Sequence, residues 1–244
     1  PTPCVARVSV PAPHRLPTAE SDPVVAPEGS GEEMQEPWRR AGRSLLQGAV
    51  FMPFSSGFEG GTLHGMEQDT SSDDFDWTVQ SGGTPSTGTG PSGANSGSHY
   101  AYIETSNPRV SGDMARLSTP WIAYDGPGAS CDSASLSFWY NMYGSGTGSL
   151  EVRGQKRFFD FGSGGYIEES PTMLLTLSGQ QSSSHLDWKH ATNLQALPKC
   201  TPGDSSCFPP EFRFIFTGIR GTSDAGDTAI DDVLVQCTPS PPPP

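Results

Sequence analysis

The stretch CDSASLSFWYNMYG, residues 131–144, decides the fold. Its large apolar residues recur at every second position: Leu136, Phe138, Tyr140 and Met142. Between them stand small or polar residues and Trp139. Successive side chains of an extended strand point to opposite faces of a sheet. The stretch therefore predicts a strand with one apolar face and one mixed face.

The same period of two returns in residues 100–103, 173–177 and 212–217, and clusters of Gly, Ser, Pro and Asp separate these runs. No helix-period segment of useful length appears among them. Short alternating runs with turn residues between them indicate an all-β fold, a jelly-roll β-sandwich of two antiparallel sheets. The residues expected in its core are Trp77, Phe138, Tyr140, Phe214 and Val233.

Glycine and proline are abundant, with 29 and 24 residues among 244, but they are unevenly distributed. Residues 1–50 are proline-rich and predict an extended lead or linker. Residues 51–237 hold the sandwich, and residues 238–244 form a polyproline linker. The first residues lack the features of a signal peptide, and we expect an excised piece of a longer secreted protein.

The charge of the chain limits the classes of partner that it is expected to bind. The formal net charge is −13 with only 14 basic residues, and the one basic run, Arg39, Arg40 and Arg43, fits a solvated tail. Nucleic acid and anionic membranes both attract clustered Lys and Arg, so neither is expected as a partner. No run of 18 apolar residues occurs, so we expect no membrane insertion within this fragment.

The five cysteines favour disulfides over zinc, because neither a Cys-x-x-Cys pair nor a paired His motif accompanies them. Disulfides persist in oxidising compartments, which indicates a secreted or extracellular protein. One cysteine is left over, and Cys4 lies far from the sandwich.

A series of motifs along residues 58–237 resembles a MAM domain, the module named after meprin, the A5 antigen and receptor tyrosine phosphatase mu. In chain order they are Phe58-Glu59, Gln68-Asp69, Asp73 to Trp77, Gly83 to Ser86, Thr89 to Pro91, Tyr102 to Ser106, Gly112 to Leu117, Cys131 to Gly144, Leu177 to Gln181, Trp188, Gly226 to Val233 and Cys237. The resemblance implies an extracellular adhesion or assembly module that contacts another protein or a copy of itself.

The chain departs from the family pattern at its cysteines. The family's first disulfide is missing, because its two positions fall at residues 55–57 and at His64. Cys200 and Cys207 instead lie in an insertion. We predict that Cys131 pairs with Cys237 and that Cys200 pairs with Cys207. In the chain-entropy model, the longer loop of the first pair is worth roughly 4–5 kcal/mol of stability.

No catalytic motif is found: Gly-x-Ser-x-Gly, His-Glu-x-x-His and a phosphate-cradling loop are all absent from the sequence. The three glycines among residues 144–148 are typical of a turn between strands rather than of a ligand loop. His185 and His190 are expected to be solvated loop residues rather than metal ligands. The sequence therefore predicts a non-enzymatic domain.

Five acids are candidates for a metal site: Glu59, Asp74, Asp76, Asp231 and Asp232. A jelly roll places its first and last strands side by side, which would bring these carboxylates together. Calcium prefers several oxygen ligands at once. We predict a structural calcium ion, or another cation, and the alternative is that these are ordinary surface acids.

Carbohydrate binding is the alternative function. Trp121, Tyr124 and the outward residues of the Phe138 strand are candidates for a sugar-stacking platform, although aromatic residues on strands more often belong to the core. The proline ending, Pro241 to Pro244, hints at O-glycosylation, and no Asn-x-Ser/Thr acceptor occurs. A third hypothesis, the accessory domain of a secreted hydrolase, requires a catalytic domain beyond this chain.

Overall fold

The computed structural model describes residues 50–126, 131–160, 162–199 and 211–238. The predicted 200–207 disulfide, nearly all of the 1–50 lead and all but the first residue of the 238–244 linker lie outside the described residues. The described part contains fourteen strands: β1 Val50–Phe51, β2 Phe54–Ser56, β3 Glu67–Gln68, β4 Thr78–Ser81, β5 His99–Ile103, β6 Met114–Ser118, β7 Ile122–Ala123, β8 Ser133–Asn141, β9 Ser149–Asp160, β10 Gly165–Glu168, β11 Thr172–Ser178, β12 Lys189–Pro198, β13 Glu211–Ile219 and β14 Thr228–Cys237. A 3-10 turn spans Glu59–Gly61, and within the described ranges no helix is long and apolar enough to cross a membrane.

Two sheets form the predicted sandwich. The six-stranded sheet has the order β12-β8-β14-β5-β4, with β2 also paired to β14. In the eight-stranded sheet, β13 lies between β9 on one side and β6 and β7 on the other, and β9 carries β10 and β11. β3 pairs with β6, and β1 pairs with β7 in the one parallel ladder of the described strands. The first strand of the six-stranded sheet, β2, lies beside the last strand, β14, as a jelly roll requires.

The core between the sheets follows the period of two. The rings of Phe138 on β8 and Phe216 on β13 meet edge to face at 5.0 Å, which joins the two sheets. Four of the five predicted core residues are at most 3% exposed: Trp77, Phe138, Phe214 and Val233. Tyr140 is only half-buried and packs against the rim of this core.

The predicted disulfide between Cys131 and Cys237 is present. It joins the residues that precede β8 to the end of β14, where Cys237 is paired in register with Ala134. The disulfide therefore joins two neighbouring strands covalently, through cysteines that are 106 residues apart in sequence.

The glycines of residues 144–148 serve the turn that the sequence predicts. Gly144 has a φ of 142°, and a Cβ atom there would lie 2.3 Å from the carbonyl oxygen of Ala225. The amide of Gly146 donates to the same oxygen at 2.8 Å. Only glycine allows so close an approach of two backbones.

A buried carboxylate holds the loops beside this turn. One oxygen of Asp227 accepts hydrogen bonds from the Thr105 amide and hydroxyl at 3.1 and 3.0 Å. The Asp227 amide donates to the Thr89 hydroxyl at 2.8 Å. Burial raises the pKa of Asp227 from 3.8 to about 6, although the Thr105 hydrogen bonds oppose that shift.

This raised pKa predicts a pH dependence of stability. Between about pH 4 and pH 6 the folded state holds a proton on Asp227 that the unfolded chain has lost, so the contribution of this group falls as pH rises. Replacing Asp227 by Asn removes the dependence. We expect the free energy of unfolding of Asp227→Asn, relative to that of wild type, to be on the order of 2 kcal/mol higher at pH 7 than at pH 4.5. Chemical unfolding of both proteins at both pH values measures this difference.

The control is Asp187→Asn. The hydrogen bond from the Ser183 amide, with other contacts, lowers the pKa of Asp187 to about 2, so its effect on the free energy of unfolding should be constant over this range. A constant difference between Asp227→Asn and wild type from pH 4.5 to pH 7 would contradict the prediction.

Candidate functional site

Three of the five predicted metal ligands meet one loop, residues 95–99, which leads into β5. The buried Asp231 carboxylate accepts from the amides of Asn95 and Ser96 at 2.9 and 3.3 Å. The neighbouring Asp232 carboxylate accepts from the Asn95 side-chain amide and the Ser96 hydroxyl at 2.8 and 2.7 Å. Glu59 accepts from the amides of Ser98 and His99 at 2.9 and 3.1 Å.

A bulge explains why adjacent aspartates reach the same loop. Side chains next to each other on a regular strand point to opposite faces. Asp232 has a left-handed φ of 47°, and the β14–β8 register shifts between Asp231 and Leu234. The strand therefore bends there and both carboxylates face residues 95 and 96. No pattern in the sequence marks this bulge, and positive φ is uncommon for any residue other than glycine.

The electrostatics of these acids differ with their surroundings. Burial, and then the charge of Asp232, raises the pKa of Asp231 to about 7. The Ser98 and His99 amides lower the pKa of the exposed Glu59 carboxylate to about 2. Asp231 and Asp232 thus repel each other while each is held by neutral donors.

Asp74 and Asp76 lie elsewhere, so the predicted convergence of all five acids is wrong. The Asp74 carboxylate accepts from the amide of Met114 on β6. Burial, with smaller contributions from the charges of Asp69 and Asp76, raises the pKa of Asp73 beside that strand. The segment between β3 and β4 runs along the eight-stranded sheet, whereas β14 belongs to the other sheet. Within the described ranges, no three His, Cys, Asp or Glu side chains are placed to hold a metal ion.

An open groove of about 540 Å³ crosses the outer face of the eight-stranded sheet. Arg116, Arg153 and Arg213 line it from β6, β9 and β13. Two residues of β13 also line the groove: Ile215, which is paired with Arg153 of β9, and Thr217, which is paired with Arg116 of β6. These residues alternate with the buried Phe212, Phe214 and Phe216, so the alternation that builds the core also builds the groove.

A stacked ladder of aromatic rings and guanidinium groups adjoins this groove. The Arg157 Cζ lies 4.0 Å from the centre of the Tyr166 ring and 4.3 Å from that of Trp121. The Arg213 Cζ lies 4.4 Å from the same Trp121 centre. The buried Glu211 carboxylate accepts from Arg157 Nε at 2.7 Å and from the Tyr166 hydroxyl at 3.1 Å. The ladder is therefore fixed before any partner arrives.

The candidate sugar platform of Trp121 and Tyr124 is not formed. Tyr124 is 2% exposed, its ring packs 4.5 Å from that of Phe212, and its hydroxyl donates to the Leu197 carbonyl. Trp121 already stacks with two guanidinium groups. Tyr124 belongs to the core, which is the alternative that the sequence leaves open.

A second groove, of about 420 Å³, lies beside the six-stranded sheet. Its lining residues are Ser92, Gly93, Ala94, Asn95, Trp139, His185, Leu186, Asp187 and Trp188. The half-buried Trp139 stacks on the exposed His190 at 4.4 Å with the rings 2° from parallel. Leu186 is 75% exposed at its rim. His190 lies on β12 rather than in the expected loop.

The family model for the MAM domain, meprin/A5/mu, matches residues 56–239. MAM domain-containing glycosylphosphatidylinositol anchor protein 2 of Mus musculus is 37% identical over 193 residues, which cover 75% of this chain and 18% of that protein. Anchor protein 1 of Gallus gallus is 35% identical, with 73% and 17% covered, and thyroid hormone-induced protein B of Xenopus laevis is 34% identical, with 67% and 20% covered. The chain spans about a fifth of the length of these curated relatives.

Among solved structures, the K1 cleaved adhesin domain of Lys-gingipain from Porphyromonas gingivalis is 18% identical, with a TM-score of 0.47 over 77% of this chain and 99% of that one. A carbohydrate-binding module specific for non-crystalline cellulose is 17% identical, with a TM-score of 0.43 over 75% and 94%. TM-scores below 0.5 support no assignment by themselves. The family match over most of the chain does, and the chain belongs to the MAM family.

Proposed function

We propose that this chain is a non-enzymatic adhesion or assembly module of an extracellular surface, which binds another protein or a second copy of itself. The groove on the eight-stranded sheet carries this proposal. Two further observations support it: the names of the relatives include a glycosylphosphatidylinositol anchor, and the Cys131–Cys237 disulfide suits an oxidising compartment.

The groove shares one feature with protein-recognition surfaces, its three arginines, while its other lining residues are mostly small, polar or acidic. Arginine is enriched where proteins meet, because it provides a large contact area and directed hydrogen bonds. Here the guanidinium groups are held by neighbours: Arg213 Nε donates to Gln155 at 2.9 Å, and Arg153 donates to Glu151 at 2.8 Å. A partner meets donors that are already ordered, so binding loses less side-chain entropy.

The chemistry of the groove favours a partner that carries carboxylates. Arg116, Arg153 and Arg213 can each present paired N–H donors to a carboxylate. A second copy of this chain, with its net charge of −13, supplies many such groups. The partner's acids would compete with Asp69, Glu151 and Glu168, which hold the three arginines in ion pairs.

The second groove favours carbohydrate binding as the alternative function. Trp139 combines a flat aromatic surface with polar neighbours such as Asp187, which suits a sugar ring. The sugar would bind on the six-stranded sheet, away from the arginine groove.

We also propose a smaller structural cation site, held by Asp231 and Asp232 without Asp74 or Asp76. Glu59 would join these two aspartates only after a shift of residues 95–99, because the three carboxylates as placed are not positioned to hold one ion together. The mutual repulsion of Asp231 and Asp232 supports it, since a bound cation would offset that repulsion. Each of the three carboxylates accepts hydrogen bonds from residues 95–99, so a cation would displace some of these bonds.

The groove hypothesis predicts homophilic adhesion that depends on arginine. Beads coated with the full chain should aggregate, and Arg153→Ala combined with Arg213→Ala should reduce the aggregation rate by roughly tenfold. Lys189→Ala, which removes a positive charge outside the groove, should aggregate as wild type does. Beads that fail to aggregate would contradict binding between copies of this chain, and aggregation that is unchanged by the arginine substitutions would exclude the groove as the site of that binding.

The carbohydrate hypothesis predicts retention of the full chain on immobilised neutral polysaccharides. Trp139→Ala should weaken retention by about tenfold, because the stacking surface is lost. Trp121→Ala, on the other sheet, is the matched control and should be retained as wild type is. Equal retention of wild type and Trp139→Ala would exclude this groove as the sugar site.

The cation hypothesis predicts a melting temperature that is higher in excess calcium than in excess chelator, since a ligand of the folded state alone stabilises it. The difference should disappear in Asp232→Asn. Identical melting curves for both proteins in both conditions would leave Glu59, Asp231 and Asp232 as hydrogen-bond acceptors only.

A further inference from the structure

Strand β11, Thr172–Ser178, forms an edge of the eight-stranded sheet. β10 and β11 pair with β9, whose other side is occupied by β13. In the described part of the chain, no strand pairs with the outer side of β11. An edge strand presents backbone N–H and C=O groups that another strand can bind.

β11 lacks two of the features that usually protect an edge strand, charged residues and proline. Its sequence, TMLLTLS, has no charge and no proline. Edge strands are normally short, charged, bulged or interrupted by proline. The edge strands of the six-stranded sheet have such features: β4 is only four residues long, and β12 contains the charged Lys189 and two register shifts. The single register shift of β11 lies between Met173 and Leu175, so its last four residues pair regularly with β9.

The inward side of β11 also favours a second copy of the same strand. Leu175 and Leu177 stand opposite the fully buried Val152 and Leu150 of β9, yet both leucines are only half-buried. The outward Thr176 between them is exposed. An antiparallel pair of β11 strands centred on Thr176 places Leu175 of one copy opposite Leu177 of the other. The apolar stripe then continues across the junction.

We propose that two copies of this chain pair antiparallel through β11 and form a symmetric dimer with one continuous sheet. The inference rests on the proposed assembly function in its self-association form. Because this strand is uncharged, two copies of an acidic chain can meet along it without opposing like charges. The contact is isologous, so it closes at two copies and does not propagate into a fibre.

The dimer has a consequence for the arginine groove. Antiparallel pairing within one sheet requires a two-fold axis perpendicular to that sheet. The same face of both copies therefore points the same way, and the two arginine grooves lie on one side of the dimer. Two grooves presented together bind a surface with greater avidity than either groove alone.

Sedimentation velocity on the full chain tests the proposal. In the proposed dimer, Thr176 of each copy faces Thr176 of the other, so charges placed at this position would be opposed. Wild type should show a concentration-dependent dimer. Thr176→Glu and Thr176→Lys should each weaken self-association by about tenfold, since like charges are then opposed. An equimolar mixture of the two variants should restore the dimer. Val110→Glu, which places a charge on an exposed residue outside the sheets, should dimerise as wild type does.

Circular dichroism should show that all variants keep the wild-type fold. A wild type that stays monomeric across the dilution series would overturn the proposal. A Thr176→Glu variant that dimerises like wild type would also overturn it, and so would an equimolar mixture of the two variants that stays monomeric. The bead assay separates this from failure of the adhesion function. Monomeric wild type with arginine-dependent bead aggregation would reject edge pairing alone, whereas a Thr176-dependent dimer without aggregation would reject the groove alone.

Discussion

The hydrogen bonding of β14 is the constraint on which the rest of the structure depends. This last strand pairs with β8 on one side and with β5 and β2 on the other, so it holds the six-stranded sheet together. Cys237 at its end anchors it to Cys131, and Asp227 just before it binds Thr105. The bulge at Asp232 then fixes the 95–99 loop. Each candidate role of the acids follows from the path of this single strand.

The architecture and most of the core can be predicted from the sequence because both follow the period of two. Phe138 and Phe214 alternate with outward residues, and both are fully buried. The arrangement of the acids cannot be predicted in the same way. It depends on the bulge at Asp232 and on the segment of Asp74 running along β6, and neither leaves a pattern in the sequence. The sequence leaves the position of Tyr124 open for a similar reason, because β7, which ends just before it, has only two residues and no alternation to follow.

The ladder of Tyr166, Arg157, Trp121 and Arg213 shows what register adds to periodicity. Alternation alone places Arg213 on the outer face, since its neighbours Phe212 and Phe214 are inward. Only the pairing of β13 with β9, and of β9 with β10, brings Arg213 and Arg157 around one indole ring. A shift of β13 by one residue would expose its phenylalanines and bury Arg213, so the core and the outer face are specified together.

The ion pairs of the outer face explain how an acidic chain carries a groove lined by arginines: acidic neighbours offset the positive charge of these arginines. Arg157 is bound to the buried Glu211, whose carboxylate would be costly to leave unpaired, so this pair serves the ladder rather than a partner. Arg153 and Arg213 pair with partly exposed acids, and such pairs are worth only about 0–1 kcal/mol each. An incoming carboxylate can exchange with them at little cost, but it gains little per contact for the same reason. Strong recognition on this face therefore requires several contacts made at once, and a sheet meets this condition because it presents the outward residues of neighbouring strands in register.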